Sequence, residues 1–383
     1  GSVPLTELFP VVEQHGYRTI ALESDCLAGL AVDDHVTCGA GSLEEVMQHG
    51  FSHGFGASAA NRELVRWMRA HNTGRPASEQ VRFAGFDGPL EITGAASPRQ
   101  ALTALHGYLA ARLDADLLPC TADTLDQLLG PDERWTNPAA MTDPSRSVGR
   151  TAEAERLRLY ADELAALLDT HTPQLIAASS REDWQRARLY GRTATGLLRY
   201  HFWMADPSPA RMGRLLGLRA SMMAANLLAL AEQGPTLVYA HNGHLQRPRS
   251  TMQLWQGPVA WWSAGAIVSA HLGGQYAFLA TAVGTIGHRG VHAPPPDSVE
   301  GLLYTLPADP CLVDTRRLAA ALGTPRPAPR TSPWYGYSPL DPTHLGGSDA
   351  VVFVKDLPAP EPDPSAVRPQ PPGRPRRDTG GAL

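Results

Sequence analysis

The feature that most constrains this fold is an interval almost without strand signal, residues 88–235, lying between the runs "VRFAGFD" (81–87) and "TLVYAHN" (236–242). Helical periodicity fills it, most clearly in residues 151–171, 183–203 and 209–233. Such an interval is too long for a single crossover connection, so it reads as a helical subdomain inserted into a sheet. Four more short apolar or β-branched runs read as strands: "TIALES" (19–24), "AIVSAHL" (266–272), "YAFLATAV" (276–283) and "DAVVFV" (349–354). Strands alternating with helices predict an α/β fold, a mostly parallel β-sheet core flanked by helices. The expected division is 1–95 and 234–357 for the two parts of that core and 96–233 for the insertion. A Pro-rich tail, 358–383, is too polar to order itself.

Composition narrows the partners. With 383 residues and 43% hydrophobic content the chain can bury a large core. A formal net charge of −5 gives no electrostatic footprint for nucleic acid. Cys26, Cys38, Cys120 and Cys311 show no CxxC spacing and read as free thiols of a reducing cytoplasm. No apolar run approaches the roughly 20 residues of a bilayer span, and the start shows no charged n-region followed by an h-region. A cytoplasmic protein without a membrane partner is expected.

In open α/β sheets ligands bind beyond the carboxyl ends of the strands. Three of the expected strands end in polar residues: the first in Glu23, Ser24 and Asp25, the second in Asp87, the third in His241, Asn242 and His244. Each has a plainer reading. Glu23 can be a first-turn helix acid, and Asp87 in "GFDGP" is ordinary turn chemistry. Two imidazoles within four positions of a strand exit are harder to explain by packing. In "MGRLLGLRASMMAAN" the residues Arg219 and Asn226 interrupt an otherwise apolar helix face, where a charge needs a partner or a ligand. Alternatively Arg219 snorkels to solvent. His53, in "HGFSHGFG", sits in a glycine-rich loop beside the expected pocket.

Two histidines with Glu23 or Asp87 could hold zinc. An HxxH pair in a loop, however, does not fix the relative orientation of its rings as HExxH on a helix does. No metal and no other cofactor is expected. There is also no P-loop, no GxGxxG after a strand and no GxSxG nucleophile elbow.

In this order the motifs "GYRTIALESD", "LVRWMRAHN" with "VRFAGFD", "RASMMAAN", "VYAHNGHLQR", "PPPDSVEGLL" and "DAVVFV" resemble the erythromycin esterase family and its succinoglycan-biosynthesis-like relatives, from about Leu5 to Leu357. The resemblance implies a metal-independent hydrolase that opens macrolide lactones by water attack, with a macrolide or polyketide-like small molecule as ligand. It implies Glu23, Arg219, His241 and His244 as catalytic residues and Asp87 as a further site residue; Asn226, Asn242 and His53 are expected as additional substrate contacts. The family often has Asp after the arginine of "RASMMAAN", where this chain has Ala220.

The family's Gly-Glu-x-x-His motif, whose histidine is the expected general base, has no counterpart before the Glu23 strand. Three accounts follow: a truncated esterase, a non-hydrolytic ligand-binding homologue, or another reaction in the same cleft, such as a biosynthetic cyclase or lyase. Lactone hydrolysis needs a base near neutral pH and stabilisation of an oxyanion. With His244 as base and Glu23 orienting it, Arg219 and His241 would be left for the oxyanion.

Overall fold

The structure, a computed structural model, describes residues 14–91, 94–254, 257–322, 326–334 and 336–359. The first strand, β1 (Thr19–Asp25), is hydrogen-bonded on both sides, in parallel to β2 (Arg82–Asp87) and to β5 (Thr236–Tyr239). The register places Leu22 opposite Gly85 and Tyr239. A strand covered on both faces needs an almost unbroken apolar run, and β1 is buried from Ile20 through Ser24. Between β2 and β5 the chain forms two short antiparallel strands, β3 (Leu90–Glu91) and β4 (Gly94–Ala95), and then helices. The longest of these are Ala152–Thr170, Arg181–Met204 and Arg211–Ala231, the first two capped by Thr151 and Ser180 through hydrogen bonds to backbone amides.

After β5 come the antiparallel hairpin β6 (Ser250–Leu254) and β7 (Gly257–Trp261), then a second three-stranded sheet. In it β10 (Ala350–Asp356) pairs in parallel with β8 (Leu279–Thr285) and antiparallel with β9 (Cys311–Asp314). The fold is thus mixed α/β with its principal strands in two small sheets. Asn242 connects them: just beyond β5, its side-chain amide donates to the Thr281 carbonyl at 2.7 Å and accepts from the Thr281 amide at 3.0 Å, standing in for a strand neighbour of β8.

Three expectations change. Residues 266–272 form the helix Ala264–Leu272, because Ser263 caps its first turn and Gly273, at φ 54°, ends it. The third strand stops at Tyr239, so His241 leads into the short helix Asn242–Leu245. The helix Arg211–Ala231 is long and apolar enough to span a bilayer by length and composition. It packs instead on the Arg181–Met204 and Ala264–Leu272 helices and on β2, and it carries an ion-paired arginine, as a core helix does. Most of the Pro-rich tail falls outside the described residues.

Close packing at the end of β2 depends on Gly85. A Cβ there would lie 2.3 Å from the Asp25 carbonyl oxygen, and a Cβ on Gly29 would meet the Gly85 nitrogen at 2.7 Å. The helix Gly29–Cys38 can therefore sit directly on β2, which holds the ends of β1 and β2 side by side.

Candidate active site

The ends of β1 and β2 deliver two carboxylates to one place. Asp87 is fully buried and accepts from Arg219 Nε at 3.1 and 3.0 Å and from Arg219 Nη2 at 2.5 Å. Arg219 reaches it from the Arg211–Ala231 helix and also donates to Glu23 Oε1 at 3.5 Å. The arginine that interrupts an apolar helix face is thus ion-paired inside the protein, and Asp87 anchors it with Ala220 in the neighbouring position.

His53 joins the cluster from its loop. Its Nε2 lies 3.0 Å from Asp87 Oδ2, its Nδ1 2.8 Å from Glu91 Oε2, and its backbone amide donates to Glu91 Oε1 at 2.9 Å. These bonds hold His53 at φ 56°, the one non-glycine residue at positive φ among the described residues. Burial alone would lower its pKa, but the Asp87 carboxylate outweighs that and raises it. Glu91 gave no signal in the sequence, because its place beside His53 is set by tertiary contact alone.

On the other side of Glu23 stand the two histidines after β5. Glu23 Oε1 lies 3.1 Å from His244 Nε2, and Glu23 Oε2 accepts the backbone amide of His241 at 2.9 Å. Burial raises the Glu23 pKa, yet the bonds from His244 and His241 and the charge of Arg219 bring it down to about 2. Glu23 is therefore ionised at neutral pH. An ionised carboxylate only accepts, so His244 Nε2 carries a proton toward Glu23; in the neutral form of the ring Nδ1 is the lone-pair nitrogen. His241 has the opposite arrangement: the Gly243 amide donates to its Nδ1 at 3.2 Å, which puts the ring hydrogen on Nε2. Burial, with the nearby His244, lowers the His241 pKa and keeps this ring neutral. The rings are 6.2 Å apart, and both His244 Nδ1 and His241 Nε2 are buried without a hydrogen-bond partner among the described residues. With His244 neutral, its Nδ1 is a free acceptor facing the free donor of His241.

Asn226 lies beside this cluster rather than in it. It donates to the Phe86 carbonyl at 3.1 Å, fixing the backbone that carries Asp87, and accepts from Arg192 at 3.3 Å. Asn242 is likewise engaged by Thr281.

Glu23, His53 and Asp87 each offer a ligand-type atom, all within 4.8 Å of one another. Arg219 Nη2 contacts all three side chains, at 3.5 Å from Glu23, 3.3 Å from His53 and 2.5 Å from Asp87. A guanidinium therefore already supplies positive charge where these residues converge, so the donor set fits a metal poorly. The paired imidazoles lie on the far side of Glu23.

The comparisons agree with this architecture. A Bacillus cereus protein matches over 91% of this chain and 83% of its own at 19% identity with a TM-score of 0.67. A succinoglycan biosynthesis protein matches over 92% and 82% at 14% identity and TM-score 0.63. A histidine mutant of the erythromycin esterase EreC, in its open conformation, matches over 91% and 85% at 16% identity and TM-score 0.62. No curated protein sequence matches. The sequence profile of erythromycin esterase matches residues 12–357, and the chain belongs to the erythromycin esterase family.

Proposed function

We propose that this protein hydrolyses a carboxylic ester, a macrolactone or related natural-product ester, using water activated by His244. The observation that carries the reading is the free, buried Nδ1 of a ring whose Nε2 is held 3.1 Å from an ionised carboxylate. In this reading His244 Nδ1 takes a proton from water as the oxygen attacks the ester carbonyl. The positive charge that develops on His244 is stabilised by Glu23, as in other acid–histidine pairs. His241 Nε2–H, neutral and already desolvated, donates to the oxyanion, where a preorganised donor costs no reorganisation. Collapse breaks the C–O bond, and His244 returns its proton to the departing alkoxide, giving an acid and an alcohol, joined in one hydroxy acid where the ester is a lactone. Arg219, Asp87 and His53 hold Glu23 and the strand ends in place. The four free cysteines fit a cytoplasmic setting.

The test is mass spectrometry of a macrolide and simple-ester panel incubated with the protein and with His244→Ala. Gain of one water that falls roughly 10²–10⁴-fold in the variant supports the reading. Full activity in His244→Ala overturns it.

A further inference from the structure

A cavity of about 170 Å³ lies between the first residues of β1 and β2 and the helices Arg181–Met204 and Arg211–Ala231. None of Glu23, His53, Asp87, Arg219, His241 and His244 lines it. Three guanidinium groups do, and two are neutralised in place. Arg82 pairs with Asp33 and, at 2.6 Å, with Glu182, while Arg186 pairs with Asp34 at 2.5 Å. Arg192 has no carboxylate within ion-pair distance among the described residues. Its hydrogen bond runs from Nε to Asn226 Oδ1 at 3.3 Å, which leaves both terminal nitrogens unengaged. Burial and the neighbouring Arg188 lower the pKa of this guanidinium to about 10, against the pull of Glu232.

We propose that the cavity binds a small carboxylic acid with an apolar body, its carboxylate paired with Arg192. Arg192 is only partly buried, so its fork is open to a ligand, and a carboxylate matches the fork of a guanidinium with two parallel hydrogen bonds. The remaining wall includes Leu30, Phe83, Leu189 and Leu230, which suit a hydrocarbon body. A cavity of ~150 Å³ holds benzene, so the space suits an acid of roughly six to ten non-hydrogen atoms. Asp33 and Glu182 also line the cavity and would repel a dianion, which favours a monocarboxylate over inorganic phosphate.

Isothermal titration of the full chain with benzoate, benzamide and inorganic phosphate tests this without reference to ester turnover. Benzoate should bind more tightly than either of the others. Arg192→Gln should weaken benzoate at least tenfold and leave benzamide unchanged, while Arg192→Lys keeps part of the affinity. Should Arg192→Gln fail to fold, Ala229→Trp fills the cavity with Arg192 intact and should remove benzoate binding. Unchanged benzoate binding in a folded Arg192→Gln or Ala229→Trp protein overturns the proposal, as does phosphate binding as tightly as benzoate or no binding of benzoate at millimolar concentration.

Discussion

One carboxylate, Glu23, holds His244 by two routes: Oε1 meets the ring Nε2 at 3.1 Å, and Oε2 accepts the backbone amide of His241, which begins the turn carrying His244, at 2.9 Å. Glu23→Gln preserves the shape but removes the charge that stabilises a protonated ring. Ester turnover should fall about 10²–10⁴-fold in kcat with a much smaller change in KM. His241→Ala should also act on kcat, through the lost oxyanion donor. Steady-state kinetics on any ester that is turned over checks both. A change confined to KM in either variant would move that residue from chemistry to binding.

The same carboxylate ties stability to acid. Glu23 titrates at about 2 when folded, below its ordinary value of 4.5, so the folded state holds on to the ionised form. Its contribution is complete above pH 4.5 and is lost as the pH falls toward 2. The linkage is worth on the order of 3 kcal/mol. Urea unfolding between pH 6 and 3 should show stability falling with acid, and Glu23→Gln should flatten that slope. An identical slope in the variant would mean other carboxylates carry it.

His53 gives the opposite limb. Its pKa is raised in the folded state: burial opposes the charged ring, but Asp87 overcomes this. The stabilisation is full below the ordinary histidine value and is lost as the pH rises through the raised folded value. Between neutral and mildly alkaline pH the melting temperature should decline, and His53→Ala should be less stable than the parent at pH 6 and closer to it at pH 9. A constant gap between the two proteins across that range would show that His53 contributes packing alone.

Much of this geometry was legible because it lies on strands. The run "TIALES" fixed β1 and placed Glu23 at its carboxyl end, and "VRFAGFD" did the same for Asp87. Arg219 was visible as a break in an apolar stripe, since helical spacing states which residues share a face. The segment "AIVSAHL" was not legible as a helix: seven apolar-rich residues fit either period, and the deciding signals, Ser263 and Gly273, lie outside the run. Glu91 and the two-sided grip on His53 were invisible because they join a loop to strand residues far along the chain, 38 residues away for Glu91, by tertiary contact alone. Nor could spacing alone assign the two imidazoles, whose roles differ only through their partners, Glu23 for one ring and the Gly243 amide for the other.

The innermost part of the cluster can be tested by its stability. Asp87 is fully buried and accepts from Arg219, from His53 and, at 2.8 Å, from the Gly88 amide. Asp87→Asn keeps one acceptor oxygen but turns an NH2 group toward donors and removes the charge opposing Arg219. Breaking a buried pair from one side costs about 3–5 kcal/mol, because the remaining charge stays desolvated. Replacing both partners by apolar residues is often close to neutral. Asp87→Asn should therefore be strongly destabilised in urea titration, and Asp87→Asn with Arg219→Met should recover a large part of that loss while remaining inactive. Losses that simply add would show that the cost at Asp87 arises from its bonds to Gly88 and His53, and that Arg219 is held by Glu23 instead.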